Sequence, residues 1–271
     1  MLMSIKRLSA CALLALGMGT AATAQAHRAW MLPSATVLSG DNAWVTVDGA
    51  VSNSLFYFEH HPLRLERLEI LSPTGAQVEA QNRAEGRYRS MFDVELTEEG
   101  TYTLQIHRQG AFARYKLDGE PKRWSGPVNR IDEIPASATD LQVSEIDSRM
   151  QVFVTRGAPS DANFKPTGQG IELVPLTHPN DLVTEEPVSF QFLVDGKPAE
   201  GLSLVLIRDG IRYRDQVGEI ELTTNAEGKV ELVFDEPGMY WLEVEREQPS
   251  QHIDGARRRL SYSATLEVLP L

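Results

Sequence analysis

The feature that most constrains this chain is a two-residue hydrophobic alternation, interrupted every few residues by turn chemistry, with almost no helical period. Val45 and Val47 alternate with Trp44, Thr46 and Asp48. Tyr102, Leu104 and Ile106 share one face of a strand, and Thr101, Thr103, Gln105 and His107 the other. Leu68, Ile70 and Ser72 run into Pro73-Thr74-Gly75, a tight turn. Val188, Phe190 and Phe192 precede the turn Asp195-Gly196-Lys197-Pro198, and Leu202, Leu204 and Leu206 follow it. Asn225-Ala226-Glu227-Gly228 reads as a hairpin loop ahead of Val230, Leu232 and Phe234. Side chains of period two alternate between a core and solvent, and many short strands of this kind fold as antiparallel sandwiches. The fold class is therefore all-β.

Two stretches are degenerate copies of one strand. Gly100-Thr101-Tyr102-Thr103-Leu104 aligns with Gly238-Met239-Tyr240-Trp241-Leu242, and Arg108 falls in register with Arg246. A Gly-x-Tyr-x-Leu strand late in a sandwich is common in immunoglobulin-like modules, where the tyrosine usually caps a corner. The sequence accordingly predicts one β-sandwich over residues 27–168 and a second, immunoglobulin-like or prealbumin-like, over 169–271. Residues 116–140 are rich in Asp, Glu, Pro, Gly and Ser and read as a long loop insertion that Trp124 pins down. Residues 138–147 read as a short helix, Met150, Val152 and Val154 as a returning strand, and residues 164–170 as the linker.

The first 26 residues read as a cleaved signal peptide. Lys6 and Arg7 precede an apolar run too short to span a bilayer, which closes on Ala24-Gln25-Ala26. Leu8-Ser9-Ala10-Cys11 has the letters of a lipoprotein box but stands before the apolar run, which argues against a lipid anchor. Cleavage after Ala26 leaves His27 as the new N-terminus of an exported, periplasmic protein with no transmembrane segment after its signal. Cys11 is the only cysteine, so the mature chain holds no disulfide and no thiolate ligand.

A formal net charge of −12, more negative still once Lys6 and Arg7 leave, argues against nucleic-acid binding. The one basic cluster, Arg257-Arg258-Arg259, reads as a solvated strand edge. No nucleophile elbow, His-Glu-x-x-His, phosphate loop or calcium loop is present, so the chain does not read as an enzyme. The histidines are more informative. A free α-amino group and Nδ1 at His27 can chelate one metal ion, an arrangement suited to Ni(II), Co(II) or Cu(II). A third nitrogen could come from His60, His61 or His107, with Glu59 completing the sphere or orienting an imidazole. Trp30 and Pro33 would pin the strand that carries the chelate. His178 and His252 read as ordinary turn and loop residues. Met31, Met91, Met150 and Met239 read as core.

His27-Arg28-Ala29-Trp30-Met31-Leu32-Pro33 resembles the mature start of the exported family called domain of unknown function 4198. Residues 168–182, continuing through Phe192-Leu193-Val194-Asp195-Gly196-Lys197-Pro198 to Gly238-Met239-Tyr240, resemble its second half. Members are described as NikM-like periplasmic components of nickel or cobalt uptake systems. The resemblance implies a soluble metal carrier or accessory subunit that works with an inner-membrane transporter or an outer-membrane receptor. Two other readings stand beside it. One is a metal-free immunoglobulin-like adhesion or interaction module of the cell envelope. The other is a copper oxidase-like enzyme built on a terminal-histidine brace.

Overall fold

The computed structural model describes residues 28–271; the signal segment and His27 lie outside the described residues. In chain order the strands of the first half are β1 (Arg28–Pro33), β2 (Val37–Leu38), β3 (Ala43–Ser52), β4 (His61–Pro62) and β5 (Leu68–Leu71). They continue through β6 (Gln81–Glu85), β7 (Ser90–Leu96), β8 (Gly100–Leu117), β9 (Glu120–Gly126) and β10 (Thr139–Arg156). The second half supplies β11 (Ile171–Pro175), β12 (Pro187–Val194), β13 (Lys197–Pro198) and β14 (Ser203–Arg208). After these come β15 (Ile220–Thr223), β16 (Lys229–Val233), β17 (Gly238–Pro249) and β18 (Arg257–Val268).

The strands form three layers. A central sheet, sheet B, of order β15-β14-β17-β18-β10-β8-β5 runs through both halves, with β2 on β10 and β9 on β8. Sheet A, of order β1-β3-β7-β6 with β4 on β3, covers one of its faces; sheet C, built from β11, β12, β13 and β16, covers the other. The alternation of β10 shows the layering directly. Val152 and Val154 join Val45, Val47 and Phe92 of sheet A in one core, while Phe153 between them joins Phe190 and Phe192 of sheet C in another. The two halves of the central sheet meet at a parallel pairing of β10 with β18, from Ser144↔Arg257 to Val152↔Thr265. Parallel neighbours need a long crossover, and here the crossover is the body of the second module. A third apolar cluster, Trp30, Ala50, Leu55, Ile207 and Trp241, fastens sheet A to the β14–β17 side of the central sheet.

Both expected tyrosine corners are present. Tyr102 and Tyr240 are buried, and each hydroxyl binds backbone four residues upstream: Glu98 N–H donates to Tyr102 Oη at 2.7 Å, and Tyr240 Oη donates to the Glu236 carbonyl at 2.8 Å. Each follows a glycine in the left-handed half of backbone space, Gly100 at φ +129° and Gly238 at φ +143°.

Three local expectations are corrected. Residues 116–140 are not a loop: β8 continues to Leu117, turns through Asp118-Gly119 and returns as β9. Both turn residues have positive φ (52° and 82°), as a two-residue type I′ hairpin turn requires. Trp124 lies on β9 opposite Ala113 and donates Nε1 to Glu133. The segment expected as a helix is the start of β10, because β8 offers it a hydrogen-bonding edge from Gly100 to Lys116. Asn225 to Gly228 is a tight turn but joins no hairpin, since β15 pairs with β14 and β16 with β12 across the core.

Candidate functional site

The sequence-predicted ligands divide between two places. The first is the loop between β3 and β4, beside the start of β1. β1 and β4 flank β3 at one end, with Ala29 and His61 both level with Val51. β1 is held there firmly. Trp30 is fully buried and donates Nε1 to Ser52 Oγ at 2.9 Å; Trp241 Nε1 donates to the Ala29 carbonyl at 3.1 Å. Arg28 reaches Glu219 at 3.1 Å and lies over the Trp241 ring. Pro33 is buried at the other end of the strand.

The loop itself is pinned from inside. Ser52 Oγ donates to the Ser54 carbonyl, and the Glu59 carboxylate accepts from Ser54 N–H. Phe56 packs edge-on against Trp30 and adopts φ +62°, a strained conformation for a bulky side chain. The His60 and His61 rings lie 4.9 Å apart between centroids, and both residues are exposed. His61 Nδ1 lies 3.0 Å from the Pro62 carbonyl, which can only accept. The hydrogen is therefore on Nδ1, and in the neutral ring the lone pair lies on Nε2. Glu59, being bound to Ser54, orients the loop.

His107 is elsewhere. The alternation that buries Ile106 against sheet A turns His107 to the opposite face of the central sheet, where Nε2 meets Asp147 Oδ1 at 2.9 Å. A full sheet thus separates it from His60 and His61. Among the described residues no group of three or more His, Cys, Asp or Glu converges to hold a metal ion.

What His107 joins is a buried charged junction between the halves. Arg258 on β18 reaches Asp147 at 3.0 Å and Glu145 at 3.3 Å, both on β10, and Asp195 of the β12–β13 turn at 2.6 Å. Burial pushes the Asp147 carboxyl up, but hydrogen bonds from His107, Gln109 and Arg258 outweigh it and hold it below the usual aspartate value. His252, expected to be an ordinary loop residue, donates through Nδ1 to Glu145 Oε1, 2.9 Å away. His178 contacts Thr101 Oγ1 through Nε2 at 3.0 Å, and Asn180 N–H donates to its Nδ1. Burial holds its ring below the usual histidine pKa.

Residues 24–248 match the model of a family described as a domain of unknown function, DUF4198. The chain belongs to that family. No curated protein matches it. Among solved structures, similarity is to a DUF4785 family protein from Legionella pneumophila, at 10% identity and a TM-score of 0.24, covering 79% of this chain and 50% of that one. Escherichia coli alpha-2-macroglobulin matches at 12% identity and a TM-score of 0.23, over 91% of this chain and 20% of that one. This DUF4198 chain therefore spans about half the length of the first and about a fifth of the second. At such TM-scores neither likeness carries a functional argument.

Two features of this DUF4198 chain escaped the sequence. Glu243 on β17, half-buried and beside Glu245, has its carboxyl pushed up to about 7, with Arg28 offsetting part of the rise. The middle arginine of Arg257-Arg258-Arg259 is buried in the junction, whereas its two neighbours are exposed and pair with Glu247. A strand alternation laid over that run would have turned Arg258 inward.

Proposed function

We propose that this is a periplasmic transition-metal-binding protein, a soluble carrier or accessory subunit for nickel, cobalt or copper. The α-amino group and Nδ1 of His27 chelate the ion, and His60 or His61 adds a further nitrogen. The observation that carries this reading is the paired imidazoles of His60 and His61 at the end of β3 where β1 begins. The His61–Pro62 hydrogen bond supports it, since it fixes the tautomer that leaves Nε2 free for a metal. The anchoring of Arg28, Ala29 and Trp30 supports it as well, since a chelate at a chain end needs a strand that does not fray. Proton competition for amine and imidazole would make loading fall as the medium acidifies.

The test is calorimetric titration of Ni(II), Co(II) and Cu(II) into protein whose N-terminus is confirmed as His27 by mass spectrometry. A control carries one extra residue before His27, and a second carries His60→Ala with His61→Ala. One-to-one binding that collapses in the first control and weakens about tenfold or more in the second is the expected result. Equal binding by all three proteins, or none by any, removes the metal reading. The interaction-module reading would then lead, on a cluster of exposed aromatics and arginines around the same loop. Tyr57 meets Tyr213 edge-on, Arg212 lies over Tyr57, and Arg89 lies over Phe58.

A further inference from the structure

The loop between β3 and β4 is met by a short 3-10 turn, Ile211–Tyr213, which follows β14. Ile211 packs against the cluster of Trp30, Leu55 and Trp241, while Arg212 and Tyr213 stay exposed, Tyr213 by 83%. The facing loop holds a strained residue in a way that presents a ring. Phe56, at φ +62°, and Phe58 both pack on Trp30, at 5.4 Å and 5.5 Å between centroids. Tyr57 between them meets Tyr213 edge-on instead, at 6.3 Å. A bulky side chain in the left-handed region persists only where its surroundings hold it, and such positions gather at sites that contact ligands.

Tyr57 and Phe58 each carry a guanidinium. Arg212 lies over Tyr57 at 5.2 Å and Arg89 over Phe58 at 4.8 Å. A guanidinium stacked on a ring has already lost much of its side-chain freedom, and its in-plane N–H groups remain available to a carboxylate. Arg28 shows the completed arrangement: it lies over the Trp241 ring and pairs with Glu219 at 3.1 Å. Arg212 has the ring but, among the described residues, neither an ion pair nor a hydrogen bond. Arg89 reaches Asp48 at 3.4 Å with its side chain still 48% exposed. In a chain of formal net charge −12, a stacked arginine without a carboxylate marks a place where a partner brings one. The covered rings also select the kind of partner. Tyr57 and Phe58 each have a guanidinium on one face and another ring against them, so they offer no flat platform for a sugar. Exposed Tyr and Phe beside Arg are the composition of protein–protein hot spots.

We propose that this patch docks an acidic segment of a partner protein. Carboxylates of the segment pair with Arg212 and Arg89, and an apolar side chain packs against Tyr213. The docked segment lies on the loop that continues into His60 and His61, but the contact needs no metal ion and uses none of the proposed metal ligands.

The experiment is fluorescence anisotropy of a short labelled peptide in which Glu alternates with Leu, titrated with metal-free mature protein in about 10 mM and about 300 mM salt. The proposal expects saturable binding that weakens at the higher salt and is absent for the same peptide with Gln in place of Glu. Because the whole molecule is acidic, general attraction cannot produce that result. Arg212→Ala and Tyr213→Ala should each weaken binding about tenfold, the loss of a charge-assisted hydrogen bond and of an aromatic anchor. Arg212→Lys, which keeps the charge but not the flat stack, should recover only part of that loss. Unchanged melting of these variants, expected for exposed side chains, separates lost docking from lost folding. His60→Ala with His61→Ala should leave peptide affinity unchanged, so failure of the metal reading leaves the outcome untouched. A parallel titration with polygalacturonate tests the other occupant: binding of that polymer and not of the peptide overturns the proposal in favour of an acidic glycan. No binding by the Glu-Leu peptide, equal binding by its Gln counterpart, or equal affinity in all variants overturns it as well.

Discussion

Replacing Glu243 by Gln should stabilise the protein in alkali and leave it unchanged in acid. The carboxyl lies on β17 on the face that carries Trp241; burial raises its pKa from an ordinary 4.5 to about 7, Glu245 adds to the rise, and Arg28 opposes it. Arg28 is shared with Glu219, 3.1 Å away, which limits what it can give to Glu243. Because the folded pKa is above the unfolded one, the protonated carboxyl favours folding. That contribution is complete below pH 4.5 and fades as pH rises through about 7. At about 1.4 kcal/mol per pH unit, the separation amounts to about 3 kcal/mol once the group is fully ionised. Glutamine reproduces the neutral form and never ionises. The variant and the parent should therefore melt together at pH 4, whereas at pH 8.5 the variant should melt about 6–12 °C higher. The assay is thermal unfolding by circular dichroism across that range, in metal-free buffer. A gap of equal size at both pH values would sink the reasoning, because it would show that packing and not ionisation separates the two proteins. A variant less stable than the parent at pH 8.5 would show that the Arg28 attraction outweighs the burial of the charge.

Arg258→Met removes the cation that faces Asp147, Glu145 and Asp195 and leaves buried carboxylates uncompensated. About 3–5 kcal/mol of stability should go, read as a lower urea midpoint at pH 7; a change under about 1 kcal/mol would mean that His107 and Gln109 suffice. Gly100→Ala should cost about 1–3 kcal/mol, because φ is +129° and the new Cβ would sit 2.7 Å from Pro73 Cβ. An unchanged melting temperature for that variant would show that the corner beneath Tyr102 relaxes freely.

Period two was enough to find β3, β5, β8, β12, β14 and β16, since burial on alternate residues is a local property that each strand displays by itself. Val45 with Val47, Tyr102 with Leu104, and Phe190 with Phe192 are all fully buried, and each pair faces a core as its spacing required. The Asp118-Gly119 turn was also local and legible, although the polar composition around it drew the reading toward a loop. The fusion of the two sandwiches was not legible. It depends on β10 pairing in parallel with β18 more than one hundred residues away, and nothing in either strand names its partner. Nor could composition tell a helix from a strand at 138–147, because the edge of β8 decides that segment and its own propensities do not.

The same distinction governs the polar sites. His60 and His61 are neighbours in sequence, but strand alternation would send them to opposite faces, and their rings meet because only His61 enters the short β4; His107 shared their residue type and nothing else. Its parity along β8, opposite to that of Ile106, already placed it away from the first core. Its destination was hidden because Asp147 and Arg258, which complete the junction, lie 111 residues apart. Arg258 is the instructive case. A run of three arginines in an acidic chain reads as solvent-exposed by composition, but in a strand the middle residue must point opposite to its neighbours. Arg257 and Arg259 reach Glu247 on the exposed side, and Arg258 meets carboxylates from β10 and from the β12–β13 turn. A buried charge of this kind holds only where partners from distant segments arrive together, so geometry decides such a site and composition points away from it.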